Sequence, residues 1–190
     1  ILLCVTGGIA AYKAAELVRL LKTSNAFVKV LMTKSAQEFI TPLTMQALSG
    51  EKVHTDLLST EAEAAMGHIE LAKWCDLIVI APCSANSLSK IAEGRGDDLL
   101  SAVCLATESE IFIAPAMNQA MWKDKRTQKN LSKSIKAGLN IIGPASGEQA
   151  CGDVGDGRMT EPADIVSEVE KTLEKGCLLY TSDAADELVG

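Results

Sequence analysis

Short apolar runs alternate with stretches of helical periodicity along most of this chain, and that alternation restricts the fold more than any single residue. The runs lie at 1–5, 27–32, 77–81, 111–114 and 140–142, with a weaker one near 52–54. Between them, helices are predicted over 9–22, 42–49, 62–73, 84–92, 97–106, 118–137 and 162–174. Runs this continuously apolar suit strands buried on both faces. Strands alternating with helices demand a parallel sheet with right-handed crossovers. The predicted fold is α/β: a three-layer, Rossmann-like or flavodoxin-like parallel sheet with helices on both faces. A composition 47% hydrophobic but only 4% aromatic fits it, because such sheets are built from Ala, Val, Ile and Leu.

Two stretches break the rhythm. Residues 143–162 hold five glycines and two prolines with little periodic apolar pattern. A loop of that length in a compact domain is usually functional or disordered. Residues 176–190 follow a helix that is already complete. One domain is expected over 1–175, with 176–190 a tail of unknown role: a linker, a packing segment or an artefact.

Charge and cysteine spacing exclude several classes. A net charge of −7 without a long Lys/Arg run speaks against a nucleic-acid or anionic-membrane partner. No apolar stretch is long enough to span a bilayer. The first residues lack the charged start of a signal peptide. Cysteines at 4, 75, 83, 104, 151 and 177 form no CxxC pair and no Cys/His cluster with zinc spacing. A reducing, cytoplasmic setting without a structural metal is expected, with Cys4 and Cys104 as small core residues.

Binding chemistry gathers where strands end, the edge at which open α/β sheets hold ligands. The first strand runs into Thr6-Gly7-Gly8-Ile9. Glycines there let backbone N–H groups approach an anion at a helix start, although an ordinary tight turn has the same composition. The spacing is not GxGxxG, and the second edge carries Thr33, Lys34 and Ser35 instead of the acid that a dinucleotide's ribose needs. A phosphate-bearing mononucleotide is therefore favoured over NAD. At the third edge Ser84, Asn86 and Ser87 either cap a helix or hold the carbonyl and N–H edge of a ring. At the fourth, Asn118 follows Pro115-Ala116-Met117. It caps the next helix, donates its neutral amide to a carboxylate, or does both. Met117 and Met121 read as core or ligand-packing side chains.

Three further groups are candidates for chemistry. His68, beside Gly67 and ahead of the core-facing residues Ile69 and 71–74, is either structural or a base titrating near neutral pH. Cys151, within the glycine-rich stretch, is either incidental or a proton donor on a lid over a dry site. Arg158 either binds a substrate anion or stands as a surface charge.

Taken together, these pieces resemble the homo-oligomeric flavin-containing cysteine decarboxylases. The likeness rests on TGGIAAYK at 6–13, FITPL at 39–43, AMGHIEL at 65–71, APCSAN at 81–86, PAMNQAMW at 115–122, QACGD at 149–153 and GRM at 157–159. It covers roughly residues 1–175, in family order. The resemblance implies FMN, contacted by Gly7, Gly8, Ile9, Thr33, Ser35, Ser84, Ala85, Asn86, Ser87 and Ala116. It implies that His68 is the active-site histidine, that Asn118 holds the substrate carboxylate and that Cys151 donates the final proton. Glu148, Gln149, Ala150 and Arg158 fall where substrate is touched. The implied substrate is the small molecule 4′-phosphopantothenoylcysteine, decarboxylated through a thioaldehyde and an enethiolate in coenzyme A biosynthesis. The resemblance also implies a homo-oligomer, trimer or dodecamer, and a CTP-dependent phosphopantothenate–cysteine ligase on a further domain or chain. Rival readings are a decarboxylase of peptides ending in cysteine, a non-catalytic flavin-binding regulatory subunit, and a flavin prenyltransferase. The joint presence of His68, Asn118 and Cys151 speaks against the regulatory subunit, and the PAMNQAMW and lid pieces against the prenyltransferase.

Overall fold

A computed structural model describes residues 1–57 and 67–173. Strand β1 (Leu2–Val5) lies between β2 (Lys29–Met32) and β3 (Leu77–Cys83). Strand β4 (Glu110–Pro115) follows, and β5 (Asn140–Ile141) forms the far edge. All pairings in this sheet are parallel, in the order β2-β1-β3-β4-β5. That is the doubly wound order, whose direction reverses between β1 and β3 and leaves a crevice at their C-terminal ends.

Side chains of a strand alternate between faces, and the two apolar layers follow. Leu3, Val5, Val79, Ala81, Phe112 and Ala114 face one layer; Leu2, Cys4, Ile78, Ile80, Ile111 and Ile113 face the other. The first layer is covered by α1 (Lys13–Thr23), α2 (Pro42–Ser49) and α8 (162–173). The second is covered by α3 (Gly67–Trp74), α4 (Ala85–Ala92) and α5 (Leu99–Ala106). Helix α1 shows why. Ala14, Leu17, Val18 and Leu21 recur at helical spacing and are buried; burying each larger side chain stabilises by about 1.5–3 kcal/mol. The three-layer α/β expectation is met.

Several local expectations are not. Residues 143–162 are not a loop. Strands β6 (Ala145–Glu148) and β7 (Val154–Arg158) pair there as an antiparallel hairpin. Its strands are held by docking rather than by an apolar alternation, so periodicity gave no sign of it. The single helix expected over 118–137 is two, α6 (Gln119–Lys123) and α7 (Lys125–Lys136). They break at Asp124, whose carboxylate accepts the Arg126 N–H at 2.8 Å and starts the second helix. The first helix opens as a 3-10 turn, Ile9–Tyr12. Residues 52–54 contribute only an isolated bridge between His54 and Leu31. Phe27 is 85% exposed, and β2 starts at Lys29. Trp74 does not face the core; it is exposed, with the Lys29 ammonium 4.3 Å from its ring centroid. Cys104 packs partly buried against the second layer. Residues 62–66 of the helix expected before Gly67, residue 174 and the tail lie outside the described residues. No described helix is long and apolar enough to cross a membrane.

Candidate active site

A cavity of about 670 Å³ opens where β1, β3 and β4 end, under the β6–β7 hairpin. Its wall is built at the crevice. Thr6 is fully buried; its hydroxyl donates to the Pro82 carbonyl (2.8 Å) and accepts the Ser84 N–H (2.9 Å), tying the ends of β1 and β3 together. The turn that follows lines the cavity with Gly7, Gly8 and Ile9. A Cβ at Gly7 would come within 2.5 Å of Ser35 Cβ, so only glycine allows the two strand edges to approach this closely. Ser84 lines the cavity and also caps α4, accepting the Ser87 N–H at 3.2 Å. Thr33 caps the 3-10 turn at Lys34–Glu38, accepting from Ala36 N at 3.3 Å.

Asn118 stands at the mouth. Its Oδ1 accepts the Ala120 N–H at 2.8 Å and so caps α6. This bond fixes which end of the amide faces the cavity. Nδ2 donates to Asp153 Oδ2 at 2.8 Å and to Cys151 Sγ at 3.3 Å. One side chain therefore caps a helix and gives its neutral amide to a carboxylate of the protein itself, that of Asp153.

The hairpin covers the cavity from above with Glu148, Gln149, Ala150, Cys151 and Arg158. It docks on the residues around Asn118. Met117 N–H donates to the Gly157 carbonyl at 2.9 Å, and Gln149 bonds the backbone of Met117 and Gln119. Gly157 has φ +134°, and a Cβ there would collide with the Met117 carbonyl oxygen. Met117 and Met121 line the cavity, and Met121 is half-exposed rather than core.

A charged group missing from the expected site borders the cavity. Lys13, on α1, is buried and lines it. Its Nζ donates to Glu161 Oε1 at 2.7 Å and to the Met159 carbonyl at 3.4 Å. Arg158 Nη2 reaches the same Glu161 oxygen at 3.4 Å. The Lys13 ammonium hydrogen-bonded to Glu161 holds that carboxyl below the usual carboxylate range. Lys13 was legible only as the last residue of TGGIAAYK; its partner lies 148 positions on.

The structure thus brings Gly7, Gly8, Ile9, Ser84, Ala85, Ala116, Asn118, Glu148, Gln149, Ala150, Cys151 and Arg158 to one cavity. Thr33, Ser35, Asn86 and Ser87 lie on the flanking turns and helix but do not line it. His68, on α3, does not line it either, and its buried Nδ1 has no hydrogen-bond partner among the described residues. A second cavity, about 730 Å³, runs between β5 and α8 and contains none of the expected site residues. Among the described residues no group of three or more His, Cys, Asp or Glu is placed to hold a metal ion.

Comparison with known proteins places this arrangement among relatives. The family described as Flavoprotein matches residues 1–174. The coenzyme A biosynthesis bifunctional protein CoaBC of Vibrio vulnificus (strain YJ016) is 51% identical across 100% of this chain and 48% of its own length. Its counterpart in Escherichia coli (strain K12) is 53% identical over 87% of this chain and 41% of its own. The chain spans about half the length of these relatives. Among solved structures, a PPC decarboxylase mutant complexed with pantothenoylaminoethenethiol superposes with a TM-score of 0.79 at 36% identity, over 91% of this chain and 97% of that one.

Proposed function

The chain belongs to the Flavoprotein family, and on that premise we propose that it is an FMN-dependent decarboxylase converting 4′-phosphopantothenoylcysteine to 4′-phosphopantetheine in coenzyme A biosynthesis. Asn118 carries the reading. Its oxygen is committed to α6, so its amide N–H groups are left facing a thiol and a carboxylate at the cavity mouth. A neutral donor can hold a substrate carboxylate without holding so firmly that it cannot leave as CO2. The names of the similar proteins agree with the assignment.

The residues present fit FMN. Gly7, Gly8, Ala85 and Ala116 give the cavity a wall of backbone and small side chains, and its volume is in the range of cofactor sites. Gly7 and Gly8 would hold the phosphate through backbone N–H groups, with Ile9, Thr33, Ser35, Ser84, Asn86 and Ser87 as further contacts. When bound there, FMN supplies a two-electron acceptor that makes loss of CO2 feasible and then returns the electrons.

The chain's own groups do the rest. Asn118 orients the carboxylate. The hairpin excludes water, and Cys151 delivers a proton to the decarboxylated product. Glu148, Ala150 and Arg158 meet the body of the substrate. His68 assists thiol deprotonation or orients the substrate. Because His68 does not line the cavity of its own chain, a neighbouring copy supplying it reconciles the two. Ile9 and Tyr12, about three-fifths exposed where they line the cavity, favour such a boundary. We therefore assign a homo-oligomer, trimer or dodecamer, acting in the cytoplasm. In this reading the decarboxylase domain spans 1–175, and its partner is a CTP-dependent phosphopantothenate–cysteine ligase on a further domain or chain.

The test is direct. Purified protein should be yellow, or become so with FMN, and should release CO2 and phosphopantetheine from phosphopantothenoylcysteine. Failure to take up the flavin, or activity confined to peptides ending in cysteine, would overturn the assignment.

A further inference from the structure

Family likeness places Gln149 among residues that touch substrate, yet its side-chain hydrogen bonds all go to main chain. Oε1 accepts the Gln119 N–H at 3.0 Å. Nε2 donates to the carbonyls of Met117 (3.3 Å) and Asp156 (3.4 Å). A primary amide has two N–H bonds, and both are used. Its backbone is equally committed: Gln149 N–H donates to the Asp153 carbonyl (2.7 Å), and Gly152 N–H donates to the Gln149 carbonyl (2.8 Å). These two bonds close the turn that contains Cys151.

We infer that Gln149 is a positioning residue: it clips the hairpin carrying Cys151 to the two chain neighbours of Asn118 and thereby sets the separation between proton donor and carboxylate clamp. The inference rests on the decarboxylase reading above for its effect on turnover. The clip itself is made entirely of the chain's own atoms. Asn118 sits between the two residues that Gln149 holds, so Gln149 acts on Asn118 from both sides. Gly157 makes the contact possible, because a Cβ there would approach Gln149 Nε2 to 2.8 Å as well as strike Met117. The Cys151 Sγ–Asn118 Nδ2 distance of 3.3 Å is then the quantity at stake. Misplacing a reacting group by about 1 Å can cost as much as about a hundredfold in rate.

Four measurements test this. In Gln149→Ala, kcat should fall about tenfold while KM and flavin content stay near parental, because the hydrogen-bonding groups of the side chain are committed to main chain. In air, where dioxygen can reoxidise the flavin left reduced by incomplete turnover, the released material should shift from saturated product toward the unsaturated enethiol, since the final protonation depends on Cys151. Parental kcat and parental product partition in this variant would overturn the inference while leaving the decarboxylase assignment standing.

Gln149→Glu supplies a signature that lost packing cannot imitate. As a neutral acid it keeps one acceptor and one donor in the same shape; as a carboxylate it points charge at two carbonyl oxygens. Its activity relative to the parent should therefore rise as pH falls from about 8 toward about 5. A flat ratio would refute the clip, and this variant decides the matter if the alanine protein does not fold. Finally, hydrogen exchange on ligand-free protein should accelerate at the amides of Met117 and Gln119 in Gln149→Ala. Unchanged exchange there refutes the clip, even should the parent prove to have no decarboxylase activity.

Discussion

Asn118→Asp separates the two jobs that the structure gives one side chain. Aspartate caps a helix as well as asparagine does, so the bond from Ala120 N–H to Oδ1 should persist and α6 should stay formed. What disappears is the donor side. The variant puts a carboxylate oxygen where Nδ2 now lies 2.8 Å from Asp153 Oδ2. Two unit charges at that separation repel by about 1.5 kcal/mol in bulk water and by about 6 kcal/mol at an effective dielectric of 20. The Asn118–Asp153 contact is solvent-exposed, so the lower figure applies. Losing the existing hydrogen bond adds about 1 kcal/mol after discounting for exposure. The swing of about 2–3 kcal/mol corresponds to roughly a 30- to 150-fold weaker hold of the turn on Asn118. The hairpin should loosen locally but stay attached, because the bonds of Gln149 and the Met117–Gly157 bond are untouched. Exchange at residues 149–157 should rise, flavin content should hold, and turnover should be lost because the substrate's carboxylate meets the same charge. Asn118→Asp combined with Asp153→Asn should recover the exchange protection but not the turnover. Parental turnover in the single variant, or restored turnover in the double, would refute the clamp.

Cys151→Ser should leave flavin binding intact and, with dioxygen present to reoxidise the flavin, CO2 release as well, while slowing the saturated product severalfold; mass analysis of the product mixture checks it, and saturated product at the parental rate would remove Cys151 from the mechanism. Gly157→Ala forces φ +134° on a residue with a side chain and drives its Cβ into the Met117 carbonyl; a local cost of about 1–3 kcal/mol should appear as faster exchange of the hairpin with the sheet unaffected. Glu161→Gln removes the partner of buried Lys13. Because the Lys13 hydrogen bond depresses the folded-state pKa of Glu161, its stabilisation is present above the unfolded value near about pH 4.3 and is lost as pH falls through the folded value. Urea titrations should show the variant less stable by about 1 kcal/mol at pH ~7, a figure kept small because Glu161 is half-exposed, with the difference vanishing in acid.

The sheet was readable because burial on both faces leaves a mark that needs no partner to interpret. The runs at 77–81 and 111–114 are apolar at every position, and each became a central strand. The strand-end pieces were readable as well, since the doubly wound order sends Gly7, Ser84 and Asn118 to one crevice from three separate turns. What escaped depends on distant partners. The strands at 145–148 and 154–158 carry glycines and charges, and their pairing is completed by Gln149 reaching the backbone beside Asn118. Trp74 looked like core because its neighbours Leu71 and Ala72 are; a lysine on another element gave it a place outside. The burial of Lys13 could not be read without knowing that Glu161 returns to it.

The hairpin forms its own two-stranded ladder and shares none with the five-stranded sheet. It is hung on a short stretch of main chain and a few polar atoms. Selection can therefore rewrite the 145–158 segment, and with it the roof of the cavity, without disturbing the apolar layers that keep the molecule folded. A transplant of this segment from a distant relative would need to reproduce its docking contacts: an amide at 149, the groups at 151 and 153 that meet Asn118, and the open space above residues 155 and 157. Catalytic repertoire and fold stability are, in this architecture, separately evolvable traits.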